Sequence, residues 1–156
     1  MSVTTLAEAK LHLRVTDSAE DTLLQTWLNA SERAASQWMG RYLYADSGAL
    51  TTAKSSVQTD LTAATATYES AITAAEALTN EVEQEIAIRA AMDAYGAAQA
   101  KARMTHLGVV VDENIKSAVL VTLGALYVSR DEDASQAEVD LPKTARFLLQ
   151  PYKVYG

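Results

Sequence analysis

Cysteine is absent from the chain, which excludes disulfide cross-links and thiolate metal sites. Six glycines and two prolines leave too little punctuation for a many-stranded sheet, which needs a turn roughly every 8 to 12 residues. No stretch approaches the roughly 18 apolar residues that a membrane-crossing helix needs. The start, Met1-Ser2-Val3-Thr4-Thr5, lacks the charged opening and apolar run of a secretory signal, so the protein is expected to be cytoplasmic where it is made. Positive charge is also scarce. Thirteen Lys and Arg against 20 Asp and Glu give a net charge of −7, which argues against a DNA-gripping surface because phosphate binding needs clustered cations. An acidic wall would still let DNA pass without sticking, although on charge alone plain solubility is the favoured reading.

Alanine, leucine, glutamate and glutamine dominate what is left, and all four favour helix. At 156 residues the chain is about one domain long. Thr5 and Glu8 have capping-box spacing and open a short helix through Leu6, Lys10 and Leu13. Asp17 and Glu20 repeat the device, so the next helix is expected over Ser18 to Met39. Its apolar stripe comprises Leu23, Leu24, Trp27, Leu28, Ala34, Ala35 and Trp38. Gly40 stands where a helix-ending glycine belongs. Both tryptophans fall on the stripe, which favours core packing over ligand stacking.

Composition shifts near Ala45. From Ala49 to Arg103 the chain is rich in Ala, Thr, Glu and Gln and has no proline. Two seven-residue series run through its first half. One is Leu50, Val57, Ala64, Ala71, Leu78; the other is Lys54, Leu61, Tyr68, Ala75. That is a coiled-coil seam, with Lys54 out of character. Asn80 and Glu83 read as a fresh capping box, so a break at Thr79-Asn80 is expected. The second half offers Val82, Ile86, Ala90, Ala94 and Ala97, with Ile88, Met92 and Tyr95 on a neighbouring face. An antiparallel helical hairpin follows, its arms about 35–40 Å long at about 1.5 Å per residue. A single long bent helix is the rival reading. The seam alanines allow close approach but bury little area each, so the hairpin is marginal alone.

Beyond Leu107-Gly108, Val109 to Val111 form a short apolar link. Asp112 caps a helix to about Ser129 lined by Ile115, Val119, Leu123, Leu126 and Tyr127, with Gly124 as a point of close packing. Asp131-Glu132-Asp133 opens a polar loop. Pro142 suits the first turn of a last helix, Lys143 to Leu149, stopped by Pro151.

The chemistry expected of an enzyme is thin. His12 and His106 lie in amphipathic segments without ligand-spaced neighbours, and Asp131-Glu132-Asp133 lacks the alternating ligands and central glycine of a calcium loop. Glu81, Glu83 and Glu85 complement a helix N-terminus. The sequence has no phosphate-cradling glycine loop and no nucleophile elbow. No catalytic, cofactor or metal residue is assigned. The closing segment, Leu141 to Tyr152, is unusually apolar and reads evenly as core or as a docking peptide, since Arg and Tyr commonly anchor interfaces.

Three stretches together resemble the head–tail connector family of long-tailed double-stranded DNA phages. They are Leu6 to Val15 with Asp17, Glu20-Asp21 and the helix ending Met39-Gly40-Arg41; Ile115 to Leu120 running on to Tyr127 and Arg130; and Leu141-Pro142, Arg146, Leu148-Leu149 and Pro151-Tyr152. The resemblance covers residues 1–44 and 107–156, with 45–106 inserted as the hairpin. It implies an all-α small helical bundle and a virion protein at the head–tail junction. It further implies a dodecameric ring beneath the portal protein that extends the DNA channel and carries the next stopper or tail protein. DNA would pass without specific binding. By position it makes Arg146, Leu149, Pro151 and Tyr152 candidates for portal contact and Arg130 a candidate between subunits. Lys153 stands where members often carry arginine, which costs the bidentate fork. The alternative reading is a helical assembly chaperone or regulatory coiled-coil dimer, pairing through the Leu50–Leu78 seam.

Overall fold

The computed structural model describes residues 3–129 and 141–155; Arg130 and the expected Asp131-Glu132-Asp133 loop lie outside them. The described chain is all-α apart from one short ladder. In order it forms α1 (Leu6–Leu13), α2 (Asp21–Met39), β1 (Leu43–Tyr44), α3 (Ser47–Glu76), α4 (Glu81–His106), β2 (Val109–Val110), α5 (Glu113–Val128) and α6 (Lys143–Leu149), followed by a 3-10 turn, Gln150–Tyr152. It divides into two compact units, Met1–Ser47 with Val109–Gly156, and Gly48–Gly108.

In the first unit the caps set the helix ends. The Thr5 hydroxyl accepts the Glu8 N–H at 3.2 Å and a Glu8 carboxylate oxygen accepts the Thr5 N–H at 2.8 Å, the reciprocal box the spacing implied. Helix α2 differs. Asp17 accepts the Ala19 N–H at 3.0 Å and makes a local turn, so the helix begins at Asp21 rather than Ser18, with Glu20 giving no side-chain cap. Gly40 closes α2 at φ 71°, a left-handed conformation that glycine reaches without a Cβ clash. Asp112 caps α5 through the Ile115 N–H at 3.0 Å. Pro142 falls one position before its expected place, at the N-cap of α6.

The core of this unit gathers Ala9 of α1, Leu28, Ala35 and Met39 of α2, Ile115, Ala118, Val119 and Leu123 of α5, and Leu141, Ala145 and Leu149 around α6. Leu24 is buried as well, whereas Leu23, expected on the same stripe, is 43% exposed. Trp27 and Trp38 pack half-buried against the core, and the Trp27 ring meets Tyr127 edge-on at 6.0 Å. Buried Ser31 returns its hydroxyl to the Trp27 carbonyl at 2.9 Å and Thr122 does so to Ala118 at 2.8 Å, so neither is left unsatisfied.

The link at Val109 to Val111 is a ladder. β1 pairs parallel with β2, Leu43 opposite Val109 and Tyr44 opposite Val110, with Val109 N–H donating to Tyr42 O at 3.0 Å and Val111 N–H to Tyr44 O at 2.9 Å. It ties together the points where the chain leaves this unit and returns to it.

The second unit is a two-helix hairpin, not one bent helix. Asn80 caps its second arm by accepting the Val82 and Glu83 N–H groups. On α3 the expected seam positions Leu50, Val57, Leu61, Ala64, Tyr68, Ala71 and Ala75 are half-buried or buried, and Ala53, Thr65 and Ile72 are half-buried beside them; Lys54 is exposed, as is Leu78 past the helix end. On α4 the expected stripe is overturned. The seam-facing series is Gln84, Ile88, Ala91, Tyr95, Ala98, Ala102 and Thr105, at alternating steps of four and three, while Val82, Ile86, Ala90, Ala94, Ala97 and Met92 are exposed. Tyr68 and Tyr95 stack across the seam, 5.0 Å between centroids and 24° apart, and the Thr65 and Tyr95 hydroxyls lie 3.3 Å from each other. The two rings occupy the seam between the buried alanines Ala75 and Ala91 and the residues nearer the base. Grooves remain beside them, one lined by Ala64, Ala71, Ala91 and Ala94. The Leu50 seam is also occupied by the chain's own second arm, so the dimer of the alternative reading finds no free seam.

Two ion pairs fasten α1. Lys10 meets Asp21 of α2 at 2.6 Å and Lys116 of α5 meets Glu8 at 2.8 Å. The Lys116 contact, with the Thr5 hydrogen bonds, lowers the Glu8 carboxyl from 4.5 to about 2. A depressed carboxyl stabilises the fold above its unfolded value, and that contribution is lost as pH falls from 4.5 toward 2. Glu8→Gln should therefore cost about 1 kcal/mol near neutral pH, discounted for solvent screening of a part-exposed pair. In urea titrations the difference from wild type should vanish by the acid end of that window. Leu28→Ala, opening a cavity in the core, should cost about 3 kcal/mol by the same measurement.

Candidate functional site

The closing segment is held to the first unit along one side. Ala145 and Leu149 of α6 are fully buried and Leu141 nearly so, one turn apart on the face that packs against α5. Past the helix, the Tyr152 hydroxyl donates to Asp112 and accepts from the Asn114 amide at 3.3 Å. Val154 N–H donates to the Met39 carbonyl at 2.9 Å, and the Lys153 ammonium lies 4.4 Å from the centre of the Trp38 ring. These contacts join the last residues to the starts or ends of α2 and α5.

The electrostatics follow from the hydrogen bonds. Burial pushes the Asp112 carboxyl up, but the Tyr152 hydroxyl and the Ile115, Asn114 and Asp112 backbone N–H groups outweigh it and leave it below its ordinary value. The bond to Asp112 raises the Tyr152 phenol in turn. Asp112 therefore serves twice, as cap of α5 and as anchor of the tail.

The other side of the segment faces solvent. Phe147 is 78% exposed, Tyr155 and Pro151 are exposed, and the Tyr155 hydroxyl accepts from the Gln150 amide. Lys143, Arg146 and Lys153 give the described residues 141–155 three cations and no acid. This basic, aromatic face contrasts with a chain whose net charge is −7.

The sequence candidates are spread across these two sides. Leu149 is fully buried and fills the core. Tyr152 is half-buried and bonded to Asp112. Arg146 is half-buried, with its Nε donating to the Leu141 carbonyl at 2.8 Å, and Pro151 is exposed. Arg130 lies outside the described residues. Phe147 and Tyr155 were missed. A phenylalanine facing water on a helix whose i±2 neighbours are core was the signal available, because Ala145 and Leu149 fix the inner face.

Elsewhere the groups converge poorly for chemistry. Among the described residues no three His, Cys, Asp or Glu gather as a metal site, and no helix is long and apolar enough to cross a membrane. His12 is exposed near α5, 3.6 Å from where a Cβ on Gly124 would stand. His106 borders an open groove with Val57, Leu61, Tyr95 and Arg103.

The described residues form an all-α protein whose closing helix packs on one side and faces solvent on the other. A family model described as the phage gp6-like head–tail connector protein matches residues 3–101, and the chain belongs to that family. It is thus a phage head–tail connector structural protein. The match runs through α3 and most of α4, which the sequence resemblance had set aside as an insertion, and ends before α5 and the tail. No curated protein and no solved structure matches the chain.

Tyr152→Phe, which removes the donor to Asp112 and the acceptor for the Asn114 amide but keeps the ring, should destabilise the fold by about 1–2 kcal/mol, and Tyr152→Ala by more. Thermal melts of the two variants beside wild type measure the difference.

Proposed function

We propose that the chain assembles as a ring, dodecameric in the reading the resemblance implies, beneath the portal at the head–tail junction of the virion. The ring extends the DNA channel and offers its far side to the next stopper or tail protein. The single observation that carries this reading is family membership, which makes the chain a connector. The tail supplies the contact: α6 and the turn after it are fixed on their inner side by Leu149 and Tyr152, so a rigid outer side is presented to the portal. On that side Arg146 and Pro151 belong to the proposed contact together with Phe147. Leu149 acts by holding α6 in place, and Arg130 is retained as a contact between subunits. A pre-ordered surface loses little entropy on docking, which favours attachment over a free peptide that must fold as it binds. The net charge of −7 suits a channel that DNA traverses without being gripped.

Phe147→Ser and Arg146→Ala should each weaken attachment to assembled portal by about tenfold or more, as interface anchors do, with circular dichroism unchanged. Mass measurement of portal with and without the chain reads the attachment and the copy number together. A chain that ignores the portal, whatever its own oligomeric state, contradicts the proposal.

A further inference from the structure

The hairpin is poorly served by its own seam. In Gly48–Gly108 the buried apolar residues are two alanines, Ala75 and Ala91, while the large apolar side chains Val82 and Ile86 stand 66% and 64% exposed. A two-helix unit that buries alanines and exposes valine and isoleucine lacks a covering partner for its larger apolar surface. The outward faces of the arms also differ. On α3 the outer positions carry hydroxyls that return to the helix's own carbonyls, as Ser55, Thr62 and Thr73 do, which suits water. On α4 the line opposite the seam reads Val82, Ile86, Ala97 and Ala100, with Arg89 and Asp93 between the two apolar ends. A helix that exposes Val82 and Ile86 opposite its seam leaves apolar surface to be covered there as well. Gly96 borders this line, and a Cβ there would meet nothing within 4 Å, so the hairpin's own packing does not call for a glycine.

The charges beside the line say what covers it. Glu83 and Lys101 lie on one edge and Glu85 and Arg103 on the other, each pair 18 residues apart. At about 3.6 residues per turn that is five whole turns, so each acid and its base stand on the same edge with opposite sign at opposite ends. Such a face is complementary to itself only when a second copy runs antiparallel. Glu83 then meets Lys101 of the second copy and Glu85 meets Arg103, while Asp93 at the two-fold centre meets its own counterpart, with Arg89 of each copy one turn away to balance the two acids. A parallel neighbour would set acid against acid along the whole tip. We propose that the outer face of α4 is a self-association site, pairing the hairpins of two copies of this chain antiparallel and isologously. This pairing is separate from the ring contacts and does not depend on them.

Sedimentation velocity of the full chain across a wide concentration range tests it. Wild type should show a reversible monomer–dimer equilibrium. Ile86→Glu, at an exposed position, should abolish the dimer while circular dichroism and portal attachment stay as in wild type. Glu83→Lys should raise the dimer Kd by about tenfold, because the two-fold repeats the like-charge contact, and Glu83→Lys with Lys101→Glu should restore it. A chain that stays monomeric throughout overturns the proposal. So does self-association that Ile86→Glu leaves intact, and a double reversal that fails to restore pairing overturns the antiparallel arrangement.

Discussion

Helix α5 must be covered on several sides at once, and the first unit is arranged to do it. Its buried residues, Ile115, Ala118, Val119, Thr122 and Leu123, are joined by half-buried Leu120 and Val121, so more than a single stripe faces inward. Helices α1, α2 and α6 each pack on it. Covering that surface removes apolar area from water at about 25 cal/mol per Å², and most of it is supplied by α2 and α6. The tail is thereby committed. Leu141, Ala145 and Leu149 complete the cover, and the Asp112 cap that starts α5 also takes the Tyr152 hydroxyl.

This commitment reconciles the two readings of the closing segment. Core and docking peptide were alternatives only while the segment was a string of residues. As a helix it has an inner face that belongs to the core and an outer face, with Phe147 and Pro151, that does not. Fixing the first orders the second. A face built on a packed helix keeps its geometry without a partner, which is what the proposed attachment to the portal would use.

The all-α class was legible because composition and capping agree: Thr5, Gly40, Asn80 and Asp112 each end or begin a helix where their chemistry demands. The face of α4 was not. Periodicity gives two apolar stripes on that helix, half a turn apart, and hydrophobicity favours the one with Val82 and Ile86. The seam took the other, because Tyr95 could stack on Tyr68 and small residues could flank the rings. The ladder of Leu43-Tyr44 with Val109-Val110 is two residues long, too short for an alternating pattern to announce it. The start of α2 moved because Asp17 satisfied a nearer N–H, a choice between two local hydrogen bonds that spacing does not decide. Of the candidate site, the tail's apolar run was readable, but Leu149 and Tyr152 turn inward and Phe147 turns outward. Only the helix phase separates these.

The central claim is that the outer face of α6 meets the portal. Photo-crosslinking from position 147 in assembled virions tests it most directly. The account places the adduct on the portal protein. Adducts confined to neighbouring copies of the chain, or to a tail protein, would contradict it.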